Sequence, residues 1–321
     1  MLTGLSMQAI ALLMAAGVLL DLLLGEARRV HPLVGFGNLA SGLERALNRR
    51  EYRFARGLLA WLLAVLPCSA LAWLLAVQAT AFNPWAGGAI HAALLYFSLG
   101  LRSLREHNLP IADALAAHDL PAARWLTSRI VSRDLAHASE TELTAASAES
   151  LLENGNDAVF GTLFWFVVAG GPGALLFRLA NTLDAMWGYR TPRLRQFGCA
   201  AARIDDVFNY LPARLTALSY VMLAPGAAAR RRAWTCWRQQ APGWSSPNAG
   251  PVMASGAGAL GVQLGGPAIY HGHWEQRPLL GSGAPASGGD IVRAWHLVRA
   301  TTVLWLACAV AAALLTGALN A

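Results

Sequence analysis

The sequence predicts an all-α polytopic membrane protein, with about four spanning helices plus re-entrant or buried helices and a cytoplasmic helical and loop region. Three observations carry this prediction. The 321 residues are 55% hydrophobic, with a mean hydropathy of +0.41, more apolar than an ordinary soluble domain. Apolar runs long enough to cross a hydrocarbon core of about 30 Å recur along the chain. The charged residues, only 13% of the total, gather between those runs.

The first run, residues 6–24, has no basic residue before it and no small-residue cleavage pattern after it, so it reads as a retained span and not a signal peptide. The loop from Arg28 to Arg56 holds seven Arg, which outnumber its acids. By the positive-inside rule it lies in the cytoplasm. Residues 57–81 then span outward and 86–101 return, joined by the turn Phe82-Asn83-Pro84-Trp85. Residues 102–158 are polar, helix-prone and Arg-bearing, and are expected on the cytoplasmic side.

The apolar run 159–180 is split by Ala169-Gly170-Gly171-Pro172-Gly173 into two pieces of about ten residues, each too short to cross. A re-entrant or protein-buried helical hairpin fits it better than a span. The run 207–224, with Asn209 and Arg214 at its start, is expected not to cross either. Residues 240–290 are rich in Gly, Pro and Ser with little periodicity and read as ordered loop plus flexible tail. The run 297–319 is the last span. No repeat and no linker stands out, so 1–321 reads as one membrane domain whose polar motifs lie in 128–296.

Composition excludes several chemistries. All 25 basic residues are Arg, so a phosphate-loop lysine and covalent lysyl intermediates are impossible. Cys68, Cys199, Cys236 and Cys308 show no metal or disulfide spacing. The net charge of +7 sits on Arg residues flanking apolar runs, which points to membrane topology and away from nucleic acid.

Chemistry is concentrated in Asn181–Arg214, where Asp184, Asp205, Asp206, Asn181, Asn209, two Tyr and five Arg interrupt an apolar chain. Ionisable groups near lipid need a partner, a wet cavity or a function. Hard oxygen ligands beside fixed positive charge suit Mg²⁺ and phosphate, although acids near a helix N-terminus are also favoured by its dipole. Glu149, Glu153 and Asp157 fall at i, i+4 and i+8, one face of a helix that continues through Gly155. Such a stripe is either a cation site or a solvated face with Arg partners. Asp21, Glu26, Arg28, Arg29 and His31 cluster at the end of the first run; a lone His before Pro is more often a structural donor. Ser246–Gly266 sets small residues where backbone N–H groups can approach an anion. His271 and His273 receive no role.

Taken together, DLLLGE with HPLVGFG, SRD at 132–134, ESLLENGND at 149–157, LFW at 163–165, NTLDAMWGYR, ARIDDVFNYLPARLTA, SPNAG and GALGVQLGG resemble the CobD/CbiB family of cobalamin biosynthesis over essentially the whole chain. The chain departs from the family pattern at Glu26 and Ala27, after the matching Gly25, and at Ser132, Gly155, Asn156, Ala158 and Thr162, positions that bear on substrate contacts. The resemblance implies an ATP- and Mg²⁺-dependent amide ligase that joins adenosylcobyric acid to aminopropanol or its phosphate. On motif position it makes Glu149, Glu153, Asp157, Asp205 and Asp206 catalytic candidates, with Asp157, Asp205 and Asp206 as metal ligands. Arg133, Arg190, Arg203 and Arg214 become phosphate clamps, Asn154, Asn181 and Asn209 orient substrate, and His31, Asp134, Asp184, Tyr189, Ser246 and Asn248 contact it. It further implies a multi-pass protein of the bacterial inner membrane, an active site facing the cytoplasm, and contact with other membrane-bound cobalamin-assembly enzymes. The rival readings are a related inner-membrane regulatory or interaction protein and a corrinoid transporter.

Overall fold

The computed structural model describes residues 4–26, 32–270 and 272–319. Its architecture is helical, with a small β region near the C-terminal end. The chain divides into two compact units, one made of Met1–Gly100, Asp157–Asn209 and Leu306–Ala321, the other of Leu101–Asn156 and Tyr210–Trp305. Three of the four boundaries between these units fall inside helical segments, where no linker composition marks them.

In the first unit, α1 (Met7–Leu24) starts at Ser6, whose hydroxyl caps it by accepting from the Ala9 N–H at 3.2 Å. Its buried stripe Ile10, Met14, Gly17, Val18 and Asp21 repeats at helical spacing. Helix α2 (Pro32–Leu47) occupies what reads from sequence as a loop. The long helix α3 (Arg53–Phe82) runs into Asn83, whose side chain accepts from the Trp85 N–H and starts α4 (Pro84–Ser98), the expected tight turn. Leucines 59, 62, 63, 66, 71, 74 and 75 of α3 are exposed. Such a face is a liability in water and suits lipid.

Among the described residues four segments are long and apolar enough to cross a membrane: Met7–Leu24, Arg53–Phe82, Glu140–Trp187 and Gly289–Leu319. The expected span at 86–101 is not one of them. Helix α4 has 15 residues and rises about 22 Å at 1.5 Å per residue, because the backbone turns extended at Leu99.

The segment Glu140–Trp187 begins with α7 (Glu140–Gly155) and a π turn (Asn156–Phe160) and continues as α8 (Gly161–Trp187). Inside α8, Ala169 leaves the helical region and Gly170 takes φ 61°, ψ −157°, a region essentially reserved for Gly. A side chain built at Gly173 would strike the Trp165 carbonyl, and one at Gly161 would strike the Phe177 ring. In a straight helix those pairs would lie about 12 and 24 Å apart. The chain therefore folds back here, the buried helical hairpin expected from the AGGPG break. Its tip is pinned where the Gly171 N–H donates to His91 Nδ1 at 2.9 Å. The second arm packs with α2, α3 and the start of α9 (Cys199–Leu223) around Phe36, Trp61, Leu183, Trp187 and Phe197.

The second unit holds α5 (Leu101–Ala116), α6 (Leu120–Ser128) and α7. It also holds α10 (Gly226–Gln240), α11 (Ala249–Leu260) and the start of α12 (Gly289–Leu319). The stretch expected as loop and tail is ordered: α11 is buried along its full length, and five short strands follow it. A Gly-rich helix reads as loop by propensity, but here small residues serve packing. A Cβ at Gly258 would sit 2.6 Å from Ala233 Cα of α10, so only Gly allows the two backbones to meet. Strand β1 (Val262–Gly265) pairs antiparallel with β4 (Leu279–Gly281) and parallel with β5 (Ala284–Pro285), while β2 (Ala268–Tyr270) and β3 (His273–Glu275) form a separate hairpin. Runs of two to four residues are too short for alternation to be legible.

Candidate functional site

Within the first unit the helical hairpin and α9 bring a carboxylate cluster together. Asp157 comes from the π turn, Asn181 and Asp184 from the second arm, and Asp205, Asp206 and Asn209 from α9. Asp205 is buried and lies at the centre. Its Oδ1 accepts from Asn181 Nδ2 at 3.4 Å and its Oδ2 from Asn209 Nδ2, one helical turn along, at 3.1 Å. Burial, followed by the fields of Asp157 and Asp184, pushes the Asp205 carboxyl well above the usual carboxylate range, and the two Asn hydrogen bonds only partly offset this.

Arg178 lies in the field of Glu26, Asp157 and Asp21, and among the described residues its buried Nε has no hydrogen-bond partner. Asp184 lies in the fields of Asp157 and Asp206, and Asp205 in those of Asp157 and Asp184. Motif matching did not select Arg178; the signal was a lone Arg inside the apolar run LLFRLA. Among the described residues no three His, Cys, Asp or Glu side chains form a ready-made metal cage. That does not conflict with Mg²⁺, which binds through one or two carboxylates plus substrate phosphates.

Glu149 has a different environment. In the second unit it forms buried ion pairs with Arg133 and with Arg277, the latter at 3.2 Å, and its Oε1 accepts from the Gly265 N–H at 2.8 Å. Arg133 Nε and Arg277 Nη1 also donate to the Tyr270 hydroxyl at 3.1 and 3.2 Å. Arg277 lies over the Trp244 ring, 5.1 Å from its centroid. This network ties α7 and the 129–139 loop to the strands. Sequence reasoning missed Arg277, since nothing in its Gly- and Pro-rich surroundings distinguishes it.

The expected single face of Glu149, Glu153 and Asp157 assumes an unbroken α-helical period. The π turn from Asn156 breaks the 3.6-residue period before Asp157 is reached, and Glu149 is already neutralised by two guanidinium groups. Glu153 is half-buried on α7.

The other candidates sort by position. Asp134 accepts from the Gly272 N–H at 2.6 Å and its own N–H donates to the Ile269 carbonyl, fastening β2 and β3. Arg214 donates to the Asn248 Oδ1 at 2.7 Å, to the Pro247 carbonyl at 3.1 Å and to the Tyr210 carbonyl, with its guanidinium 3.6 Å from the Tyr210 ring centroid. Ser246 Oγ accepts from the N–H groups of Asn248 and Ala249 at the start of α11. Asn154 donates to Ser150 on its own helix. Tyr189, Arg190 and Arg203 are exposed. His31, Arg28 and Arg29 near the first span, and the unassigned His271, lie outside the described residues. A cavity of about 300 Å³ in the second unit is lined by Arg133, Asp134, His137, Glu142 and Trp274.

These features define a class: a multi-pass, all-α membrane protein that gathers several carboxylates inside one helical unit. The sequence profile of the CobD/Cbib protein family matches residues 14–298, and the chain belongs to that family. It is 55% identical over 291 residues to the cobalamin biosynthesis protein CobD of Stutzerimonas stutzeri, covering 90% of this chain and 93% of the relative. It is 51% identical over 317 residues to the protein of the same name from Chromobacterium violaceum, covering 97% and 99%, and 40% identical over 295 residues to that of Mycobacterium tuberculosis, covering 88% and 89%. No solved structure matches the chain.

Proposed function

We propose that this protein acts in cobalamin biosynthesis as an ATP-dependent amide ligase, joining the free propionate of adenosylcobyric acid to (R)-1-aminopropan-2-ol or its O-phosphate. Family membership and relatives named for cobalamin biosynthesis support the pathway. The observation that carries the chemistry is the buried Asp205 carboxyl lying in the fields of Asp157 and Asp184, with Asp206 acting on Asp184 in turn. Like charges gathered around a buried carboxyl suit a bound proton or cation.

Asp157 and Asp205, with Asp184 or Asp206, would hold Mg²⁺ through one or two carboxylates, and Mg²⁺ when bound would neutralise charge on ATP phosphates. The propionate oxygen attacks the γ-phosphorus and the bond to the β-bridging oxygen breaks, giving an acyl phosphate and ADP. The amine then attacks the acyl carbon, phosphate leaves, and the proton lost by nitrogen passes to a carboxylate of the cluster. Asn181 and Asn209 hold Asp205 in place. The roles first given to Glu149 and Arg133 pass to structure, because each is already taken up by the other and by Tyr270 or Arg277.

Membranes holding the chain, incubated with adenosylcobyric acid, ATP, Mg²⁺ and each amine, should yield the amide and ADP. Failure to form either amide with every component present would sink the ligase reading. Asp157→Asn and Asp205→Asn should abolish ligation while the protein still inserts and folds.

A further inference from the structure

A second cavity lies in the second unit, lined by none of the residues given a role above. It has a volume of about 600 Å³ and runs along α10, with Arg231, Arg232, Thr235, Gln239 and Ser282 in its wall and no acid. The sequence explains the sign of its field. No Asp or Glu occurs between Asp206 and Glu275, a stretch that contains Arg214, Arg230, Arg231, Arg232 and Arg238.

The wall is held from behind. Arg232 Nε donates to the Gly258 carbonyl at 2.7 Å, which fixes its guanidinium plane. Gln240, at the end of the helix, exchanges two hydrogen bonds with the Gly281 backbone. Among the described residues none of Arg230, Arg231, Arg232 and Arg238 is in an ion pair. On the exposed side Arg230, Arg231, Trp234 and Arg238 fall within one stripe of the helix. Trp234 is 46% exposed and meets Trp237 edge to face at 5.2 Å.

We infer that α10 is an interfacial helix that binds the phosphate of an anionic phospholipid headgroup in this groove. Two observations choose lipid over a soluble phosphate. The arginine stripe is shared with an exposed Trp, the side chain that settles at the level of headgroups, and four segments among the described residues are long and apolar enough to cross a bilayer. The cationic wall selects an anionic lipid over a zwitterionic one.

The test uses the full-length protein in detergent and native mass spectrometry to count bound phosphatidylglycerol against phosphatidylcholine of equal chain length. Wild type should retain phosphatidylglycerol preferentially. Arg231→Gln, at an exposed site, should weaken that retention about fivefold, the equivalent of about 1 kcal/mol for one basic residue near a charged surface. Thr235→Val, close to isosteric on the same wall, gives a second reading should the first variant be unstable, and should also lower retention. Equal retention of both lipids overturns the proposal, as does retention unchanged in both variants. Displacement of phosphatidylglycerol by equimolar ATP overturns it in favour of a soluble phosphate site.

Discussion

Glu149→Gln tests whether this acid is structural or catalytic, and the geometry gives its size. The Glu149 side chain is 4% exposed, and its partners Arg133 and Arg277 are 11% and 14% exposed. The amide oxygen still accepts from the Gly265 N–H, but the charge that neutralised two guanidinium groups is gone. Removing one partner of a buried ion pair costs about 3–5 kcal/mol, because it leaves uncompensated charge out of water. Two cations left facing each other put the expectation at the upper end of that range. Thermal unfolding of the purified protein in detergent should show a large drop in midpoint, with early proteolytic cleavage in 262–285. Adding Arg277→Gln to Glu149→Gln should recover part of the loss, since it removes one stranded charge, and the double-mutant cycle reads that coupling directly. A Glu149→Gln protein as stable as wild type but without ligase activity would refute the structural assignment and return Glu149 to the chemistry.

Three further predictions follow from the first unit. The Asp205 carboxyl is raised by burial and by Asp157 and Asp184, so the stability tied to its neutral form is complete below the ordinary carboxylate pKa and is lost as pH rises through the raised value. Asp205→Asn, which mimics that neutral form, should flatten the fall in thermal midpoint with rising pH and still abolish ligation; a variant with the wild-type pH profile would remove the raised carboxyl from the account. Glu44 shows the opposite sign: burial raises its pKa, but hydrogen bonds from Arg193 and Asn48 lower it further, for a net depression below 4.5. Its contribution is present above pH 4.5 and lost as pH falls through the depressed value, so Glu44→Gln should be less sensitive to acid in a pH titration of stability. Gly170→Ala places a side chain at φ 61°, ψ −157° and should cost about 1–3 kcal/mol, read as a lower unfolding midpoint; an unchanged midpoint would mean the hairpin turns elsewhere.

Much of the architecture was legible because hydrophobic length and Gly/Pro breaks act locally. Asn83-Pro84 announced its turn, and Gly170 with its neighbours announced the hairpin. What could not be read depended on contacts distant in sequence. Helix α11 looks like a loop until Gly258 is seen against Ala233, and α2 looks like a loop until Glu44 is seen to pair with Arg193, 149 positions away. The acid stripe from Glu149 to Asp157 assumes ideal helix geometry, and a π turn begins one residue before Asp157.

Pairing, near or distant in sequence, also separates acids that sequence spacing treats alike. Glu149, Glu44 and Asp290 each meet an Arg within ion-pair distance, and Glu142 closes a capping box with Ser139, so their charges are accounted for by the fold. Around Asp205 the influences are burial, other carboxylates and two amides. A fold gains nothing in stability from gathering like charges out of water, and on the proposed function that cost is offset when substrate binds. A cation and phosphates that arrive with substrate would relieve the repulsion only while the reaction is under way. That reasoning points to Asp157, Asp184 and Asp205 as the acids whose replacement by the neutral amide should leave the protein as stable as before, or more so, and inactive.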